Sequence, residues 1–200
     1  MIIHTIELSV SKSYLLECGQ RLILVDTGYS AEEADKILER VRTLGRNNHD
    51  VKYCILTHRH EDHTLGLRRI KESTGASIVS HEAEAPEIER ISGVQVDVKV
   101  RDHEVMDECG GIEFIHVPGH TAGNLCLYIR KERALFAGDT VFADEQGRLS
   151  PPPEIYCDDA AMARGELKRL LALDFEKIYV SHGENLLTGA KEALKKIVER

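Results

Sequence analysis

Tryptophan is missing from the 200 residues, proline occurs only 5 times, and phenylalanine and tyrosine together make up 5% of the chain. With only 15 glycines as well, the chain is neither collagen-like nor a low-complexity linker. No apolar run approaches the ~20 residues that cross a bilayer. The opening Met-Ile-Ile-His-Thr-Ile-Glu lacks the basic start and apolar stretch of a secretory leader. A cytoplasmic protein working away from membranes is therefore expected. Basic residues are outnumbered, 26 Lys+Arg against 34 Asp+Glu for a net charge of −8, which disfavours a polyanion-binding surface, so nucleic acid is not an expected partner. Cys-x-x-Cys pairs are absent too. The five cysteines, Cys18, Cys54, Cys109, Cys126 and Cys157, are odd in number and widely spaced, and read as buried thiols in a reducing compartment.

What is present is an ordinary globular composition, 42% hydrophobic and 30% charged, enough for a single domain spanning 1–200. Three short strands open the chain, over 2–7, 13–17 and 21–26, the last two joined at Cys18-Gly19-Gln20. Ser30 and Glu33 form a capping-box signature before a helix carried by Ala34, Ile37, Leu38, Val41 and Leu44. A strand over 51–56 feeds Thr57-His58, and a helix is expected over 62–74, stopped by Gly75. Further strands are expected at 77–80, 94–100, 112–117, 124–129 and 134–137, with a short helix over 81–91 that tolerates Pro86 only in its first turn. Residues 143–156 hold no period and read as a long ordered loop. A helix capped by Asp158 or Asp159, a strand at 177–180 and a helix capped by Thr188 complete the chain. The pattern predicts an α+β fold of two mixed sheets packed face to face with helices outside.

Histidine is the abundant exception, with 10 in the chain. The segment His58-Arg59-His60-Glu61-Asp62-His63 places three imidazoles and a carboxylate at a strand-to-helix junction. Random placement gives His-x-His-x-Asp-His roughly once in 700 chains of this length and composition. Alternate loop residues face one way, so His58 and His60 can share one metal while Asp62 and His63 turn toward a second, and these are natural zinc ligands. Three singletons join them: His120 in Val-Pro-Gly-His, Asp139 in Phe-Ala-Gly-Asp-Thr and His182 in Val-Ser-His-Gly. Cys109, beside Gly110-Gly111, has no base or metal logic around it and reads as a buried thiol, not a nucleophile. Tyr29, Arg148 and Tyr156 stand on loops after landmark strands and could orient a substrate, but no motif fixes substrate-binding residues.

In these motifs, with Asp26 of Asp26-Thr27-Gly28 ahead of them, the sequence resembles the metallo-β-lactamase fold superfamily, in its glyoxalase II-like branch of small metal-dependent hydrolases. The resemblance implies a four-layer αββα sandwich. It also implies a binuclear centre with His58, His60 and His120 on one ion, Asp62, His63 and His182 on the other, and Asp139 bridging. Two divalent ions are the implied cofactor, Zn²⁺ first with Fe²⁺ or Mn²⁺ as alternatives. A bridging hydroxide would cleave an ester, thioester or lactone, with Asp62 as the catalytic proton acceptor and Asp26 orienting a ligand from behind.

Departures narrow the field. True β-lactamases usually carry Cys or Ser at the place of Asp139, and the flavodiiron group carries Glu at the place of His60. The arm with which RNase Z relatives hold tRNA is absent. Glyoxalase II-like hydrolases keep the whole set but add a helical portion for glutathione, whereas this chain ends 18 residues after His182. A mononuclear iron persulfide dioxygenase, using His58, His120 and Asp139, is the alternative. A small-molecule substrate is the expected partner, and a homo-oligomer is left open.

Overall fold

The computed structural model describes residues 1–199. The chain forms two compact units, Met1–Val100 and the remainder from Arg101.

The first unit is a six-stranded mixed sheet in the order β1-β2-β3-β4-β5-β6. Strands β1 (Ile2–Glu7), β2 (Lys12–Cys18) and β3 (Arg21–Val25) form the expected antiparallel opening. Strands β4 (Val51–Ile55), β5 (Ser77–His81) and β6 (Val98–Val100) then run parallel to β3. Helices α1 (Ala31–Thr43), α2 (Glu61–Thr64), α3 (Leu67–Thr74) and α4 (Ala85–Ser92) lie between the later strands. Ala34, Ile37, Leu38 and Val41 of α1, Leu67 and Ile70 of α3 and Ile88 of α4 bury their apolar stripe against Leu15, Leu22, Leu24, Cys54 and Ile78 of the sheet. At ~25 cal/mol per Å² of apolar surface removed from water, such stripes are what hold short helices in place.

The helix over 62–74 is in fact two. A Cβ on Gly66 would stand 2.1 Å from the Thr27 carbonyl oxygen, so the chain bends there to pass close behind the Asp26-Thr27-Gly28 turn. The expected strand over 94–100 shrinks to three residues. Val94 and Val96 instead fill the helix-side core, and Asp97 pins the strand start by accepting from the Ile78 amide at 2.8 Å and from Lys71 Nζ at 2.7 Å. Ser30 does cap α1, accepting from the Glu33 amide at 3.3 Å. The buried Glu33 carboxylate does not close the box: it accepts from the Ser9 amide and hydroxyl and from the Tyr29 amide, tying three segments together. Pro86 sits in the first turn of α4 as required.

The second unit is a five-stranded mixed sheet in the order β13-β10-β9-β8-β7. Its strands are β7 (Val105–Met106), β8 (Ile112–His116), β9 (Leu125–Ile129), β10 (Ala134–Gly138) and β13 (Lys177–Val180), of which only β10 and β13 pair in parallel. Helices α5 (Ala160–Leu170) and α6 (Ala190–Val198) pack Leu167, Leu170, Ala190 and Leu194 against Cys126, Tyr128, Leu135 and Ile178. Asp159 caps α5, its side chain accepting from the Met162 amide at 2.8 Å. The cap of α6 is Gly189 at φ 64, not Thr188. The span 143–156 is more ordered than its composition suggests: it contains most of the hairpin of β11 (Phe142–Ala143) and β12 (Leu149–Ser150), and a 3₁₀ turn at Glu154–Tyr156.

The cysteine expectation needs correcting. Cys54, Cys126 and Cys157 are free, but Cys18 and Cys109 are disulfide-bonded. An odd count excludes the pairing of all five cysteines, not the disulfide bonding of some of them. A bridge also removes the ground for assuming a reducing compartment, where disulfides are uncommon outside hyperthermophiles. Burial pushes the Cys54 thiol far up and that of Cys126 up to about 12, so both remain protonated core groups. Among the described residues no helix is long and apolar enough to cross a membrane.

Candidate metal centre

In the first unit, the C-terminal ends of β3 and β4 deliver the polar groups. Asp26 follows β3 in the left-handed region, φ 60, where Asp and Asn are tolerated better than other side chains. Its amide donates to the Ile55 carbonyl at 3.0 Å, and the Thr27 amide to that of His63 at 2.9 Å, locking the two strand ends to α2. The buried Asp26 carboxylate accepts three hydrogen bonds: from the Thr57 amide at Oδ1, and from the Thr57 hydroxyl and His63 Nδ1 at Oδ2, each 2.8 Å. Having spent its proton on Asp26, the Thr57 hydroxyl must accept from His58 Nδ1, 3.0 Å away. Both buried imidazoles thus carry their proton on Nδ1, which makes Nε2 the lone-pair nitrogen of each ring, the tautomer being assigned from this network.

His58 Nε2 lies 3.1 Å from His60 Nδ1, and His63 Nε2 lies 3.2 Å from Asp62 Oδ2. The backbone between them is clamped. The Arg59 amide donates to the buried Glu84 carboxylate at 3.0 Å, Thr64 Oγ1 donates to the His60 carbonyl at 3.0 Å, and Ser11 Oγ donates to that of Asp62 at 2.6 Å.

In the second unit, His120 comes after β8, Asp139 after β10 and His182 after β13. Asp139 Oδ2 is approached by two imidazoles, His120 Nε2 at 3.4 Å and His182 Nε2 at 3.2 Å. Gly119, φ 121, lets the His120 turn pass against α5, since a Cβ there would fall 2.2 Å from the Ala163 amide nitrogen. The Asp158 and Asp159 amides donate to the His120 and Gly119 carbonyls at 3.0 and 2.9 Å. Cys157 Sγ stands 3.8 Å from His120 Nδ1. Burial, with Asp158 and Asp139 nearby, pushes that thiol up.

The imidazole and carboxylate donors are of the kind that hold divalent cations. A tetrahedral zinc with Zn–N of about 2.0–2.1 Å spaces its donors about 3.3 Å apart. The four pairs above, at 3.1, 3.2, 3.4 and 3.2 Å, match that spacing.

The other candidates have different work. Tyr29 donates its hydroxyl to Glu61 at 3.1 Å on the surface, and that bond raises its phenol pKa. Arg148 is held within its own turn by Asp144 at 2.6 Å, and Tyr156 is exposed. Cys109, as a half-cystine, is no nucleophile. Thr57 and Glu84 also support the site, Thr57 through His58 and Glu84 through the Arg59 amide. Thr57 and Glu84 act through backbone or neighbour contacts that leave no spacing signal.

The profile of the Metallo-beta-lactamase superfamily matches residues 7–182. The chain belongs to this superfamily. Among curated members, the hydroxyacylglutathione hydrolase of Methylobacterium nodulans is 31% identical over 164 residues, 81% of this chain and 58% of that protein. That of Rhizobium meliloti is 32% identical over 164 residues, 81% of this chain and 59% of that protein. The chain thus spans under two thirds of the length of these relatives. A superfamily structure from Thermus thermophilus aligns with TM-score 0.77 at 20% identity, over 99% of this chain and 78% of that one. The α+β superfamily fold expected from the motifs is thereby shown.

Proposed function

We propose that this superfamily member is a metal-dependent hydrolase of an ester, thioester or lactone, with thioesters first. Its seven donors would serve one binuclear centre within a single domain: His58, His60 and His120 on one ion, Asp62, His63 and His182 on the other, and Asp139 shared. The observation that carries the reading is the convergence of His120 and His182 on one oxygen of Asp139, the arrangement a shared carboxylate needs. The activity named for the relatives concerns hydroxyacylglutathione, an acyl thioester, and this favours the thioester class. A small-molecule substrate belongs to the same proposal.

Bound divalent ions, Zn²⁺ first with Fe²⁺ or Mn²⁺ as alternatives, would bring water to reactivity near neutral pH and polarise the carbonyl under attack. The protein supplies orientation and proton handling. Asp26 and Thr57 fix the His58 and His63 rings in the tautomer that presents Nε2. Asp62, half-buried with Oδ2 directed at His63, has the task of taking the proton from attacking water through its other oxygen and passing it to the leaving thiolate.

The test is turnover of metal-stripped protein reloaded with Zn²⁺, Mn²⁺ or Fe²⁺, against hydroxyacyl thioesters, aryl esters and lactones, with oxygen uptake recorded on a persulfide. Thioester hydrolysis should return with the metal, and Asp62→Asn should keep metal yet lower kcat by about 10²–10⁴-fold, the range for a positioned acid or base. Silence across the panel, or oxygen consumed with the persulfide, would overturn the proposal.

A further inference from the structure

The hairpin β11–β12 lies against His182 at three levels. The Phe142 and His182 rings stack, with centroids 4.6 Å apart and planes 6° from parallel. The Ala143 amide donates to the His182 carbonyl at 3.0 Å, and the Glu184 amide reaches the Asp144 carbonyl at 3.4 Å. Gly183, φ 88, makes this approach possible: a Cβ there would fall 1.6 Å from the Ala143 carbonyl oxygen. The hairpin is closed from within by Asp144, whose Oδ1 accepts from the Gln146 and Arg148 amides, both at 2.9 Å, while Oδ2 holds Arg148 Nε. Those bonds, the Arg148 amide and guanidinium first, lower the pKa of the Asp144 carboxyl from its ordinary value.

We infer that Phe142 is a positioning residue for His182, setting the plane of its imidazole, and that the turn at 142–150 is the frame that holds Phe142 in place. The main-chain bonds fix where His182 begins and do not act on its ring plane. A flat aromatic partner at stacking distance constrains that plane, because stacked rings lie with near-parallel planes. The ring plane decides where Nε2 points, and it points at Asp139 Oδ2, 3.2 Å away. His182 is also the more exposed imidazole of the pair around Asp139, with 20% of its side chain accessible against 1% for His120, so it has the greater need of an added constraint. The segment whose composition suggested only a long loop thereby acquires a task.

The inference rests on His182 being a ligand, as proposed above, so its test reads each ion separately. Zinc binding to the purified, metal-stripped protein is titrated against a chromophoric chelator, and the Co²⁺-substituted protein is followed by its visible ligand-field bands. The wild type should bind two ions. Phe142→Ala should weaken one step by about 10–100-fold, the range for loss of a group that orients a ligand. The other step should hold within about twofold, and the bands of only one Co²⁺ should change. Phe142→Tyr, which keeps the flat ring, should restore both steps. Phe142→Leu, which keeps apolar bulk without a plane, should behave like Phe142→Ala. Two unchanged steps in Phe142→Ala, equal weakening of both, or rescue by leucine would overturn the inference. A wild type that binds no second ion would overturn the binuclear reading itself.

Discussion

Asp139→Ala should abolish thioester turnover, a fall beyond about 10²–10³-fold, the scale seen when even one preorganised electrostatic group is removed from an active site. The reason is its position. One oxygen of this buried carboxylate lies within 3.4 Å of two imidazoles that come from different strand ends, so its removal deprives both proposed ions of an anionic ligand at once. Bound zinc, read by elemental analysis after gel filtration, should drop from two per chain to one or fewer. The fold should survive. The residues around Asp139, including Ala137, Val141 and Val180, belong to an apolar cluster that does not depend on the carboxylate. Asp139→Asn, which keeps volume and one acceptor oxygen but no charge, should fall between wild type and alanine in metal content. A variant retaining two zinc ions and near-normal rates would remove Asp139 from the mechanism.

The second large effect is expected at Asp26→Asn, a change of one heavy atom in a group that touches no substrate. Asparagine tolerates the left-handed backbone at φ 60, so the substitution isolates hydrogen-bond chemistry from strain. The Thr57 amide cannot turn away, so the asparagine carbonyl must face it and the amide NH₂ must occupy the place of Oδ2. There it meets the Thr57 hydroxyl, which can rotate, and His63 Nδ1, which cannot donate to a donor. His63 must therefore move its proton to Nε2, the atom proposed to bind metal. The expected cost is about 10–100-fold in affinity for one ion, with kcat falling in step. Imidazole ¹⁵N shifts of the metal-stripped variant should show His63 switched to the Nε2–H tautomer. Asp26→Ala is the contrast, leaving the buried Thr57 amide without its acceptor and destabilising the fold by about 1–3 kcal/mol. An unchanged tautomer with unchanged metal affinity in Asp26→Asn would contradict the assigned network.

Most secondary structure was legible because period and punctuation agreed. The turn at Cys18-Gly19-Gln20 marked β2 and β3, the stripe Ala34-Ile37-Leu38-Val41 marked α1, and the polar signatures after β3, β4, β10 and β13 marked where chemistry is displayed. The departures have tertiary causes that a local window does not contain. Gly66 breaks a continuous helical pattern because the Thr27 carbonyl lies 2.1 Å from where its Cβ would be. Val94 and Val96 alternate like a strand yet pack with the helices. Glu33 abandons its capping box for Ser9 and Tyr29. The ligand candidates were legible because metal binding demands particular atoms at particular spacings. Their supports were not: Glu84 grips the amide of Arg59 and would do so whatever the side chain there, and Phe142 looks like any apolar residue in its motif. The half-cystines were hidden for a similar reason, since Cys18 and Cys109 carry no spacing signature.

The most direct test is anomalous scattering at the zinc absorption edge from crystals of the zinc-loaded protein. Two peaks about 3.5–4 Å apart are expected, the separation of a hydrolytic metal pair. One should be bound by His58, His60 and His120, the other by Asp62, His63 and His182, with Asp139 touching both. No peak among these residues, or zinc held elsewhere while these side chains point away from one another, would contradict the account.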